Sequence, residues 1–190
     1  MIYKMMEPPF EMNDFELMNK KEAKQHFDWY VAQIPERIVM LQEYLSIIAE
    51  KEIHLDYGVD SLRTVWELFE TEIKLVPKSK EEIEKELKET PDWILDEIEL
   101  TNLSQETLIV AMDIAIYFAE VFVKNNEGIY WSFYTKPKSR SSVNRPILLG
   151  FKNGADMDPR VILLNCCDDS LHNNDPELLV KLYHIWCEKI

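Results

Sequence analysis

Ser104-Gln-Glu-Thr-Leu-Ile-Val-Ala-Met-Asp-Ile-Ala-Ile-Tyr-Phe-Ala-Glu-Val-Phe-Val-Lys-Asn-Asn126 is the stretch whose reading decides the fold. Leu108, Ala111, Met112, Ala115, Phe118, Ala119 and Phe122 recur at steps of three or four and form one helical face. Ile109, Ile114, Ile116, Tyr117 and Val121 cover most of the remainder. Ser104 opens this helix, which is predicted over Gln105 to about Lys124. A helix that is apolar almost all round belongs at the centre of a core, with the rest of the chain packed around it.

Upstream, the pattern stays helical. Residues 1–18 hold two adjacent prolines and no lasting period, so a mobile arm or a strand laid on the body would both fit. Asn19 is the expected N-cap of a helix whose face is Ala23, Phe27, Val31, Ile34, Ile38, Leu41, Leu45 and Ile48. Pro35 interrupts that stripe without shifting its phase, so either one helix kinks there or a second begins. Asp60 is read as the next cap, before Leu62, Val65, Trp66, Phe69 and Ile73, with Pro77 as the stop. Ser79 and Glu82 form a capping-box pattern opening Lys80 to Lys88. Pro91 and Trp93 to Leu95 suggest a short helical turn.

After Gly128 the period changes. Ile129, Trp131 and Phe133 alternate with Tyr130, Ser132 and Tyr134, which reads as a strand. Pro146 to Phe151 and Arg160 to Cys166 are two further short apolar runs bounded by turn residues. Three strands suggest a small three-stranded antiparallel sheet, followed by a closing helix capped at Asp175–Pro176. Helices first, strands later and a final helix give an α+β expectation: an arm over 1–18 and a single α+β domain over 19–190.

Charge is uneven along the chain. The 190 residues carry a formal net charge of −14. Residues 1–120 hold 27 acids and 12 bases, whereas residues 121–190 are nearly balanced with 8 acids and 9 bases. From Glu89 to Val123 there is no Lys or Arg, but there are eight carboxylates: Glu89, Asp92, Asp96, Glu97, Glu99, Glu106, Asp113 and Glu120. Glu106, Asp113 and Glu120 are seven apart, which on a helix aligns them in one stripe with Tyr117 between the last two. A solvated strip on an otherwise apolar helix is one explanation. Another is an acidic surface that steers and holds a basic partner, with Asp92, Asp96, Glu97, Glu99, Glu106, Asp113, Tyr117 and Glu120 as the candidate contacts. The opposite sign gathers at Lys136, Lys138, Arg140, Arg145, Lys152 and Arg160.

Other chemistries find little support. Such an acidic chain lacks the cationic footprint that binding to nucleic acid or an anionic membrane requires. Four glycines cannot assemble a P-loop or a dinucleotide fingerprint. The four histidines and Cys166, Cys167 and Cys187 form no spacing diagnostic of a metal, and no serine sits in a nucleophile elbow, so neither cofactor nor catalytic residue is expected. Three cysteines make no disulfide framework, and the first residues lack the apolar run of a signal peptide, so the expected location is the cytoplasm.

Ile116-Tyr117-Phe118-Ala119-Glu120-Val121-Phe122-Val123-Lys124-Asn125-Asn126, then Trp131, Thr135-Lys136-Pro137-Lys138 and Asn144-Arg145-Pro146-Ile147-Leu148-Leu149-Gly150-Phe151 resemble the pattern of a family of small bacterial α+β proteins. Ser61-Leu62 with Trp66 and Asp158-Pro159 fit the same pattern, so the resemblance spans about residues 60–165. It implies a bacterial cytosolic α+β protein and no particular activity. Size and acidity are also similar to those of the immunity proteins of toxin systems. The leading expectation is therefore a non-enzymatic interaction protein, in its sharpest form an immunity protein or antitoxin bound to a basic partner. The alternatives are a small enzyme using Asp113 or Glu120 with Tyr117 in a pocket, and a homo-oligomer in which the basic loops of one copy meet the acidic helices of another.

Overall fold

The computed structural model describes residues 3–91, 93, 95 and 98–190. Among them it contains six α-helices: α1 (Lys20–Ile48), α2 (Val59–Glu70), α3 (Lys80–Glu89), α4 (Gln105–Asn125), α5 (Pro159–Ser170) and α6 (Leu178–Cys187). Two antiparallel ladders accompany them, β1 (Leu75–Pro77) with β2 (Thr101–Leu103), and β3 (Tyr130–Ser132) with β4 (Ile147–Leu149). The fold is α+β.

Helix α4 sits where its composition sends it. Every residue from Asp113 to Phe122 is buried, with α1, α2 and α5 packed against it and α6 packed on α2. Ser104 accepts from the Thr107 amide and so satisfies one of the amides left open at the first turn. Phe122 anchors one end of the core among Phe118, Phe151 and Tyr183, all in edge or tilted contact. No helix of the described residues is long and apolar enough to cross a membrane.

Helix α1 runs unbroken through Pro35, beginning at a full capping box between Asn19 and Glu22. A proline inside a helix costs about 3 kcal/mol. Burial of Ile34 and Ile38 on one side, continuing the stripe of Ala23, Tyr30, Leu41 and Leu45, offsets it. Residues 3–18 form an extended arm, neither helix nor ladder, laid over α1 and α4 with Tyr3 and Met18 buried. Asn144 Nδ2 donates to the carbonyls of Phe15 and Met18, at 2.5 and 3.2 Å, and fixes its far end.

The expected three-stranded sheet is not formed. Arg160–Cys166, read as its third strand, is the body of α5. Asp158 caps that helix by accepting from the Arg160 amide, Pro159 occupies its first turn, and Leu163, Cys166 and Cys167 turn inward at helical spacing. Four consecutive apolar residues, Val161 to Leu164, carry no period that separates a strand from a helix. The other two strands pair as expected, Trp131 opposite Leu148. The second ladder, Leu75 opposite Leu103 and Pro77 opposite Thr101, brackets α3. Two caps also differ: Gly58, not Asp60, precedes α2, and Glu177, not Asp175, precedes α6.

Candidate functional site

The heptad stripe of acids is split between the core and the surface. Asp113 is 1% exposed. Its carboxylate receives Nε and Nη2 of Arg37 at 2.6–3.0 Å and the Tyr3 hydroxyl at 2.5 Å. Burial raises the Asp113 carboxyl above its ordinary range, against the pull of the Arg37 and Tyr3 bonds. Glu120 is buried too, and its Oε1 accepts from the Trp131 indole at 2.7 Å. Tyr117 is enclosed, its hydroxyl accepting from the Tyr57 amide at 3.0 Å and sharing a 2.6 Å bond with Ser61. The expectation that these three face outward is thereby corrected: from Asp113 to Phe122 α4 is wrapped on all sides, so the polar groups of that stretch are partnered internally. They do not share a pocket either, since of the three only Asp113 lines the cavity beneath the arm.

Glu106 and Glu99 do reach the surface. Glu106 pairs with Lys74 at 3.2 Å. Glu99 lines a groove of about 500 Å³ bounded by the β1–β2 ladder, the start of α4 and the end of α5. Glu82 and Asp168 line it as well. Desolvation, and then the charge of Glu99, raise the Asp168 carboxyl above its ordinary range. Lys78 is the cation in the groove, and it is already bonded to Glu86 at 2.6 Å. Asp92, Asp96 and Glu97, the remaining candidate contacts, lie outside the described residues.

The excursion that forms one wall of this groove exposes several large apolar side chains beside the charged α3. Helix α3 has no buried residue and both apolar residues of β1 are exposed. Leu75, Val76, Leu87 and Leu100 all face water, and Trp93 is 83% exposed. Periodicity could not have found this patch, because a helix is judged by the face it buries and α3 buries none.

The basic segment is largely spent on its own chain. Lys138 donates to the Met18 carbonyl at 2.6 Å, Arg140 pairs with Asp156 at 2.9 Å, and Arg160 grips Asp158 at 2.6 Å. The Arg145 guanidinium lies 4.2 Å over the ring of Phe15. Lys136 and Lys152 remain on the surface. These contacts hold the arm and the loop after β3 in place.

Beneath the arm lies a separate cavity of about 320 Å³. Met5, Met6, Met12 and Phe15 roof it, His26, Trp29 and Tyr30 of α1 form one wall, and Leu108, Met112 and Ile116 of α4 form the other. Sequence reasoning did not assemble it, since the arm has no period and its methionines carry no signal of direction. Cys166 and Cys167 are buried, and burial pushes both thiols up to about 12, which makes them packing groups. Among the described residues no three His, Cys, Asp or Glu side chains converge as metal ligands would. The chain matches no family model, no curated protein and no solved structure.

Proposed function

We propose that the protein is a non-enzymatic interaction protein that captures a basic protein partner at the acidic groove between the β1–β2 ladder and the end of α5. The observation that carries this reading is the Glu99–Asp168 pair. Two carboxylates line the same groove, where desolvation first and then the charge of Glu99 raise Asp168, and the lysine beside them is committed to Glu86. Such a pair is relieved when a cation enters, so the groove favours a lysine or arginine side chain from outside.

Exposed apolar residues of the groove wall, Leu75 and Val76, and of α3 and the segment between α3 and β2 supply what charge alone does not. Trp93, Leu87 and Leu100 are exposed aromatic and aliphatic groups of the kind that anchor interfaces once desolvated. The net charge of −14 adds long-range steering toward a cationic protein. An immunity or antitoxin role against a basic nuclease-like toxin is the narrower form of the proposal, supported by size and acidity. The satisfied bonding of Asp113, Tyr117 and Glu120 weighs against the enzymatic alternative, and the internal pairing of Lys138, Arg140 and Arg160 weighs against the oligomeric one.

The test uses the products of the reading frames flanking the gene, purified and passed over the immobilised protein. The expected result is a basic partner whose association slows by about tenfold or more from low to high salt. Glu99→Lys combined with Asp168→Lys slows association further, and Trp93→Ala speeds dissociation. A partner whose kinetics ignore salt and all three substitutions overturns the reading.

A further inference from the structure

We infer that the cavity beneath the arm is a binding site for a small uncharged apolar molecule, admitted under the strap of residues 5–12 that roofs it.

Charge is cancelled wherever it meets this cavity. Among the described residues, the ionised groups that line it are Arg37, Asp113 and Arg160. Arg37 and Asp113 hold each other at 2.6 Å, and Arg160 holds Asp158 at 2.6 Å. The two titratable rings of the wall are neutral at pH 7: burial, then Arg160 and Arg145, lower His26 to about 4, and burial raises the Tyr30 phenol. A charged ligand would leave water here and meet no free counter-charge, which disfavours carboxylates, phosphates and amines alike.

The remaining walls favour an apolar occupant. Met6, Phe15, Trp29, Leu108, Met112 and Ile116 are among the side chains around the space. Water in such surroundings finds few of the two to four polar partners it needs, so an apolar body that displaces it gains free energy. Apolar surface is also left open at the mouth. Met5, Met12 and Leu108 line the cavity and are 50%, 39% and 37% exposed, and a ligand seated against them takes that surface out of water.

Entry follows from how the roof is tied. Its two ends are anchored: Tyr3 donates to Asp113 and Arg37 to the Lys4 carbonyl, while Asn13 donates to Glu22 and Asn144 to the Phe15 carbonyl. Among the described residues, residues 5–12 between those anchors make no hydrogen bond, and Phe10 rests edge-on against Trp29 at 6.0 Å. The strap can rise over an incoming molecule without breaking one, and its three methionines repack around varied shapes.

Size narrows the class further. The volume of about 320 Å³ is roughly twice that of an apolar cavity known to hold benzene, so two fused rings or a chain of about ten carbons fit.

The experiment titrates the full chain at pH 7 with three probes of one shape, 2-naphthol, 2-naphthoate and 2-naphthylmethylammonium. Calorimetry reads affinity, and the methionine methyl signals in nuclear magnetic resonance spectra read location. Uncharged 2-naphthol is expected to bind one-to-one and about tenfold or more tighter than either charged probe. The methyls of Met5, Met6, Met12 and Met112 shift, while that of Met157, buried away from the cavity, does not. Met112→Trp and Met6→Trp each fill the space from a different wall. Each is expected to weaken 2-naphthol about tenfold or more, read in whichever variant keeps the parent's circular dichroism spectrum. No saturable binding of 2-naphthol, equal affinity for all three probes, shifts that spare the four cavity methionines, or binding indifferent to a folded filling variant overturns the inference. The salt-dependent partner binding expected at the Glu99 groove is measured separately, so either proposal can fail alone.

Discussion

Arg37 and Asp113, 76 residues apart in the chain, meet inside the protein with Nη2 and Oδ2 at 2.6 Å. The pair joins α1 to α4, and it also gathers the arm: Tyr3 donates to Asp113, and Arg37 donates to the Lys4 carbonyl at 2.8 Å. One carboxylate thus organises three segments. Its role is architectural, which explains how an acid can occupy the middle of a helix buried on every side from Asp113 to Phe122.

Removing one partner of such a pair leaves the other charged and buried. Asp113→Ala is expected to cost about 3–5 kcal/mol in urea denaturation, whereas Arg37→Met with Asp113→Leu recovers most of that loss. The same single substitution frees the start of the arm, so limited proteolysis before residue 18 accelerates. If Asp113→Ala unfolds at the midpoint of the parent protein, the pair contributes nothing and the arm is held by other contacts.

Glu120 tests a gentler version of the same idea. Glu120→Gln keeps an oxygen for the Trp131 indole and is expected to be nearly neutral, while Glu120→Ala leaves the N–H unbonded at a cost of about 1–3 kcal/mol. Glu99→Lys, on an exposed side chain, is expected to stay within about 0.5 kcal/mol of the parent. Equal stability of all three variants would place Glu120 on the surface after all.

Legibility followed the physics of each segment. Helix α4 could be read because its period and its serine cap are both local, and Asn19 and Ser79 work as caps for the same reason. Pro35 could not be placed, since only the burial of Ile34 and Ile38 decides that one helix outlasts it. Val161 to Leu164 has no period, so α5 could be recognised only by the cap and proline at Asp158–Pro159. The three-residue strands of β1 and β2 have too few positions to alternate. Heptad spacing correctly aligned Glu106, Asp113 and Glu120, but exposure depends on what covers the stripe. For Asp113 and Glu120 that cover is Arg37, Tyr3 and Trp131, which no local pattern connects to them. The groove at Glu99 was half visible, as one acid within a run lacking cations; Asp168 joins it only through the fold.

Gly150 gives a sharp check of the β3–β4 ladder. Its φ is +109°, and a Cβ there would sit 2.0 Å from the Gly128 carbonyl oxygen and 3.1 Å from the Ile129 Cα. Those are backbone atoms that cannot swing aside. Gly150→Ala is expected to cost several kcal/mol, on the order of 3 or more, and to disturb the ladder amides in nuclear magnetic resonance spectra. Gly154→Ala is the control: its φ is +68° but nothing lies within 4 Å, so the cost is expected to be about 1 kcal/mol. Similar losses at the two sites would mean that the close approach to Gly128 does not exist.

His26 makes the fold sensitive to mild acid, with a sign that can be worked out. Burial first, then Arg160 and Arg145, lower its pKa to about 4, while Phe15, Trp29 and Tyr30 offer no counter-charge. An unfolded chain binds a proton at this residue near pH 6.5, and the folded one resists until about 4. Between those values the unfolded state holds more protons, so stability falls as pH drops through the window, by something on the order of 3 kcal/mol in all. His54, His172 and His184, by contrast, are exposed. Urea midpoints measured from pH 7 down to pH 4.5 are therefore expected to fall faster for the parent than for His26→Phe, which has nothing to protonate there. Parallel slopes for the two proteins would show that the ring is open to water and its nitrogen already satisfied.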